Sequence, residues 1–201
     1  YSIIGGGANN CMSGSSSVIA GGRNNQNRGN CAFVGGGYFN RNYDCQSVIN
    51  GGFSNYIFTT GDGRNTIGGG YRNTIVGDHG YHVIAGGDFH CINTPGNKNT
   101  IGGGGENDIT CNVENSTIAG GASNKICRPS GFDYGSFIGG GAFNELSGLT
   151  YQSVIAGGRC NCSIACHTAM VGGELNTGSA SCIFIGGGYK NVASGTLTSI
   201  V

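Results

Sequence analysis

The chain has 201 residues, of which 43 are glycine and only 10% are charged, with ten basic residues balancing ten acidic ones. Zero net charge without a basic stripe excludes an electrostatic surface for nucleic acid or an anionic membrane, and no apolar run is long enough to span a bilayer. High glycine without proline or a three-residue period excludes collagen, and regular aliphatics at low charge argue against a disordered chain.

One stretch, Ser17-Val18-Ile19-Ala20-Gly21-Gly22-Arg23-Asn24-Asn25, recurs from end to end. With Ile19 as the marker, its equivalents are Ile4, Val34, Ile49, Ile67, Ile84, Ile101, Ile118, Ile138, Ile155, Met170 and Ile185. That makes twelve copies spaced 15 to 20 residues apart, with Val201 read as the start of a thirteenth. A period this short means stacked units rather than a globule. The first and last residues both fall inside a repeat, so the chain reads as an excerpt of a longer repetitive protein.

Each repeat contains two candidate strands. The column before the marker holds Ile3, Val18, Phe33, Val48, Thr66, Val83, Thr100, Thr117, Phe137, Val154, Ala169 and Phe184. β-Branched and aromatic residues favour extended backbone. Adjacent strand residues point to opposite faces, and both columns are apolar, so both faces are expected to be covered. A second aliphatic column follows two residues after the Asn, as at Ile57, Ile75, Ile92, Ile109 and Ile126. Helix is excluded because recurring glycines cost about 1 kcal/mol each relative to alanine.

The paired glycines suit a corner with positive φ or a close approach of neighbouring backbones. The Asn column runs from Asn10 to Asn191, broken only by His90. Asn tolerates the left-handed turn conformation, and stacked copies can form an amide ladder.

Ten cysteines include three pairs about one repeat apart: Cys31 with Cys45, Cys111 with Cys127, and Cys166 with Cys182. Stacked rungs hold such Cα atoms ~5 Å apart, within reach of a disulfide. This spacing favours one repeat per rung and an oxidising, extracytoplasmic setting. Buried free thiols in a reducing compartment are the competing explanation. The pairing of Cys11, Cys91, Cys160 and Cys162 stays open.

The run Ser-Val-Ile-Ala-Gly-Gly-x-x-Asn, with Asn73-Thr74-Ile75-Val76-Gly77 as its continuation, resembles the short Gly/Asn repeats of microbial and viral surface fibres. It is similar in style to the β-roll head of trimeric autotransporter adhesins. Those heads place Val and Ile two residues apart before a single Gly, whereas here the apolar residues are adjacent and the Gly is doubled. The resemblance implies a stiff extracellular stalk or fibre that binds surfaces or builds filaments.

Motifs for chemistry are weak. Gly102-Gly103-Gly104-Gly105 lacks the Lys-Ser/Thr and following helix of a phosphate loop. His79 and His82 with Asp78 and Asp88, and Cys160-x-Cys162-x-x-x-Cys166-His167, are incomplete metal patterns. Carboxylates are few and unaligned, with Asp62 and Asp78 the one pair that adjacent rungs bring together. No Asp column recurs to bind calcium. Asn115-Ser116-Thr117 and Asn161-Cys162-Ser163 are candidate N-glycosylation triplets.

The expectation is an all-β protein over residues 1–201: a single repetitive β-solenoid or parallel β-roll of about 12 rungs of 15–20 residues. The expected function is that of an extracellular structural repeat protein forming a fibre by stacking and self-association. No enzyme activity and no cofactor are expected. The alternative is an adhesin or glycan-binding head, with an ice-binding solenoid ranked below it because the Thr column is interrupted by Phe and Val. The expected partner is the protein itself, with surface glycans as the second candidate, and neither nucleic acid nor a membrane span. Phe33, Phe137, Phe184, Tyr38, Phe53, Tyr71 and Tyr189 are the candidate association or glycan face.

Overall fold

The computed structural model describes residues 1–61 and 63–201, apart from the side chains of Ser130, Phe132 and Asp133. Among the described residues there is no helix. Short strands alternate between two parallel sheets, one of 13 strands and one of 12. Each strand pairs with the equivalent strand of the next repeat, so one repeat makes one rung. The fold is a β-solenoid.

The first sheet contains the markers. Ile19, Val34, Ile49 and Ile67 are Cα partners in one unbroken register with the markers that follow. The second sheet stacks Ile57, Ile75, Ile92, Ile109 and Ile126 in the same way. These two columns face each other and form the core. Longer repeats place their extra residues in the second strand. It is two residues at Cys11–Met12, four at Tyr56–Thr59 and ten at Lys125–Tyr134. Insertions there leave the corners and the marker register undisturbed.

Three local expectations are corrected. The marker of the last rung is Ile200, which pairs with Ile185, and not Val201. The first sheet is covered on one face only: the column of Val, Thr and Phe points outward and is half-buried or exposed. The third correction concerns the Asn column, which is interior and not at the left-handed position. The left-handed residue is the one before it, as at Asn24, Phe39, Ser54, Arg72, Phe89 and Phe143. Phe39, Arg72, Phe89 and Phe143 carry no turn signal, because the stacked rungs rather than local preference impose the conformation there.

The Asn side chains lie inside the corner as a continuous ladder. Asn144 is typical. Its Nδ2 donates to Gly140 O at 2.9 Å, to Gly158 O at 2.9 Å and to Asn124 Oδ1 at 3.1 Å. Its Oδ1 accepts the backbone N–H of Asn161 at 3.0 Å. The side chain thus ties three rungs together and satisfies backbone groups that the sharp corner leaves without strand partners. The second glycine of each pair faces this ladder. Gly158 has φ +93, and a Cβ there would lie 2.2 Å from Gly173 O of the next rung.

A second polar ladder lines the opposite corner. Asn65 N donates to Ser47 Oγ, His82 N to Asn65 Oδ1, Asn99 N to His82 Nδ1, and Ser116 N to Asn99 Oδ1. A rung this small encloses few apolar groups, so ordered polar ladders complete the packing between neighbours.

Candidate functional site

The outward surface divides into distinct faces. The residues grouped as one candidate face fall on two of them. Phe33, Phe137 and Phe184 lie on the outer side of the first sheet, in the column with Val18, Thr66 and Val154. Tyr38, Phe53, Tyr71 and Tyr189 lie on the corner between the sheets, just before the Asn ladder. This corner column is continuous: Ala8, Arg23, Tyr38, Phe53, Tyr71 and Asp88, then Gly105, Ala122, Ala142, Arg159, Glu174 and Tyr189, each bridged to the next.

Stacking concentrates the corner aromatics. Tyr38 and Phe53 have ring centroids 5.4 Å apart, Phe53 and Tyr71 5.1 Å, and Tyr71 and Phe89 5.1 Å. Arg23 lies over Tyr38, and Arg72 over Tyr71. The result is an aromatic ridge with basic flanks. Beyond Tyr71 the column shrinks to Gly105, Ala122 and Ala142. There the corner dips into an open depression of about 380 Å³ lined by Asp88, Phe89, Gly105, Glu106, Ala122 and Ser123. The depression was not legible from the repeat alone. The signal for it was a change of residue size along one variable column.

No family model matches the chain, and no curated protein matches it either. The site is therefore read from its own geometry.

The cysteines form one disulfide. Cys111 and Cys127 are bonded with Cα atoms 5.2 Å apart. Cys31, Cys45, Cys166 and Cys182 are free thiols, which corrects two of the three expected pairs. The reason lies in register. Gln46, not Cys45, occupies the position equivalent to Cys31, since Cys31 N bonds Ser15 O as Gln46 N bonds Asn30 O. Likewise Cys182 N bonds Cys166 O as His167 N bonds Tyr151 O, which sets Cys182 in the column of His167. Both pairs are one residue out of column. Cys111 and Cys127 are also offset by one, but both sit inside long, directly paired strands. Cys11, Cys91 and Cys162 share the outer column of the second sheet on non-adjacent rungs and so cannot reach one another. Burial, reinforced by neighbouring Asp108, pushes the Cys91 thiol up to about 11, so it is a poor nucleophile at neutral pH.

Asn161 is fully buried in the ladder, and its Nδ2 donates to Gly157 O and Gly173 O. A glycan on that atom and the ladder exclude each other, so the second triplet is not a modification site of the folded chain. Asn115 is exposed.

His82 and His90 replace ladder residues. Each accepts a backbone N–H at Nδ1, from Asn99 and Asn107 respectively. Burial lowers both, His82 to about 4. Among the described residues no three His, Cys, Asp or Glu side chains come together. The expected approach of Asp62 to Asp78 lies outside the described residues. No helix is long and apolar enough to cross a membrane.

Proposed function

We propose that this chain is a structural rod, a stiff segment of an extracellular fibre that works through its length and through association with copies of itself. The observation that carries the reading is the unbroken register of both sheets across every rung, with the Asn ladder continuous beside it. Such an architecture is quasi-one-dimensional: each rung contacts its neighbours, and length is set by rung number. Twelve rungs at ~4.8 Å make a rod of roughly 55–60 Å. The Cys111–Cys127 disulfide fits an oxidising exterior. The aromatic ridge supports a second reading, a glycan-binding head, because stacked rings are the usual platform for sugar rings.

Electron microscopy of the purified protein under non-reducing conditions tests the first reading. Uniform rods, alone or joined into fibres, are the expected result. Isotropic particles without an elongated axis would refute it.

A further inference from the structure

The corner strip is complementary to itself when reversed. We propose that two copies of this chain associate antiparallel along this corner, with the aromatic ridge of each seated in the depression of the other. The proposal rests on the rod reading, since only stacked rungs produce the strip.

Placing a two-fold axis between the sixth and seventh rungs, between Asp88 and Gly105, matches the column with its own reverse. Size is complementary. Tyr71 meets Ala122 of the second copy, Phe53 meets Ala142, and Tyr189 meets Ala8. These three rings thus face residues with no more than a methyl group. Charge is complementary too. Arg23 meets Glu174, and Arg159 comes over the ring of Tyr38. Glu174 then lies between its own Arg159, at 3.4 Å, and the second copy's Arg23.

The neighbouring column adds no like-charge contact, for Arg72, Glu106 and Lys190 face Ser123, Phe89 and Asn9. Two other arrangements are worse. A parallel pair stacks Tyr71 on Tyr71 and Glu174 on Glu174. Sliding the reversed copy to an axis on the sixth rung brings Arg23 to Arg159 and Asp88 to its own equivalent. Like-charge contacts of this kind select against wrong registers.

The area suffices. A strip about 10 Å wide and ~55 Å long removes roughly 1,100 Å² from water over both copies, just above the ~1,000 Å² that a specific interface needs. A glycan accounts for the ridge but not for the matched small and charged residues across the rest of the column. A second copy accounts for both.

Sedimentation equilibrium of the 201-residue chain, over roughly 1–100 µM, reads the association directly. A dimer is expected. Ala122→Trp fills the depression and should weaken dimerisation at least about tenfold, as should Arg23→Glu or Glu174→Arg alone. The double variant Arg23→Glu/Glu174→Arg restores opposite charges and should return to within about threefold of the parent. The swap Tyr71→Ala/Ala122→Tyr should also dimerise. All these side chains point outward, and circular dichroism confirms the fold of each variant.

A monomeric parent overturns the proposal, and so does a dimer indifferent to all of these changes. If microscopy still shows rods in either case, the rod reading stands without this interface. Glycan-array binding by a monomeric parent that Ala122→Trp abolishes would overturn the proposal and assign the corner to sugars.

Discussion

Replacing Asn144 by alanine removes one link from the middle of the ladder and measures what the ladder contributes. The substitution leaves the buried N–H of Asn161 without its acceptor and takes from Gly140 O its side-chain donor. Gly158 O keeps the N–H of Ala142, and Asn124 Oδ1 keeps the N–H of Asn144, so these two lose less. One orphaned buried group and one part-buried one, at ~1–3 kcal/mol each, give a loss of about 2–6 kcal/mol at most. Asn191, on the last rung, provides the control. Its Nδ2 donates to Gly187 O and the side chain is only part-buried, so Asn191→Ala should cost about 1 kcal/mol or less. Urea denaturation followed by circular dichroism yields both values. If Asn144→Ala costs no more than Asn191→Ala, the ladder is not a principal source of stability and the reasoning fails.

Three further outcomes are expected. Gly157 and Gly158 are neighbours with opposite tolerance: a Cβ on Gly157 meets nothing within 4 Å, so Gly157→Ala should melt within a few degrees of the parent, whereas Gly158→Ala should destabilise by at least about 2 kcal/mol through the clash with Gly173 O and its positive φ. His82 is held neutral by burial, so the unfolded chain takes up its proton first as pH falls, and stability should be fully present above about pH 6.5 and decline towards pH 4. His82→Asn, which restores a ladder amide, should flatten that decline in thermal melts across the range; an unchanged profile would remove His82 as its cause. Thiol titration of the unfolded chain without reductant should find eight free cysteines, where the three-disulfide expectation leaves four.

Much of the solenoid was readable because it follows from period. The marker column, the second aliphatic column and one repeat per rung all come from side-chain alternation and spacing, and Ile19 and Ile57 lie buried where that arithmetic sets them. Three features escaped for physical reasons. The left-handed position is held by residues such as Phe39 and Leu175, whose local preference opposes it, so the composition of that column could not reveal its φ. The Asn looked like a turn residue, yet Asn25 and Asn161 are 0% exposed because their amides serve the neighbouring rungs. The cysteine pairs looked stacked at near-repeat spacing, but an offset of one residue separates Cys31 from the column of Cys45. The corner site was partly legible: its rings were visible as variable residues, while the depression emerged only when the sizes of the whole column were set in register.

The most direct test of in-register stacking is to delete one whole rung. Removing Gly68–Ile84 joins Ile67 to Ala85, and Asn65 then stacks on Asn99 with every column intact. The account predicts a folded, β-rich protein with a cooperative melt and only a modest loss of stability. Removing Gly68–Ile75 alone, about half a rung, should abolish that fold. Collapse of the whole-rung variant, or equal tolerance of both deletions, would contradict the solenoid.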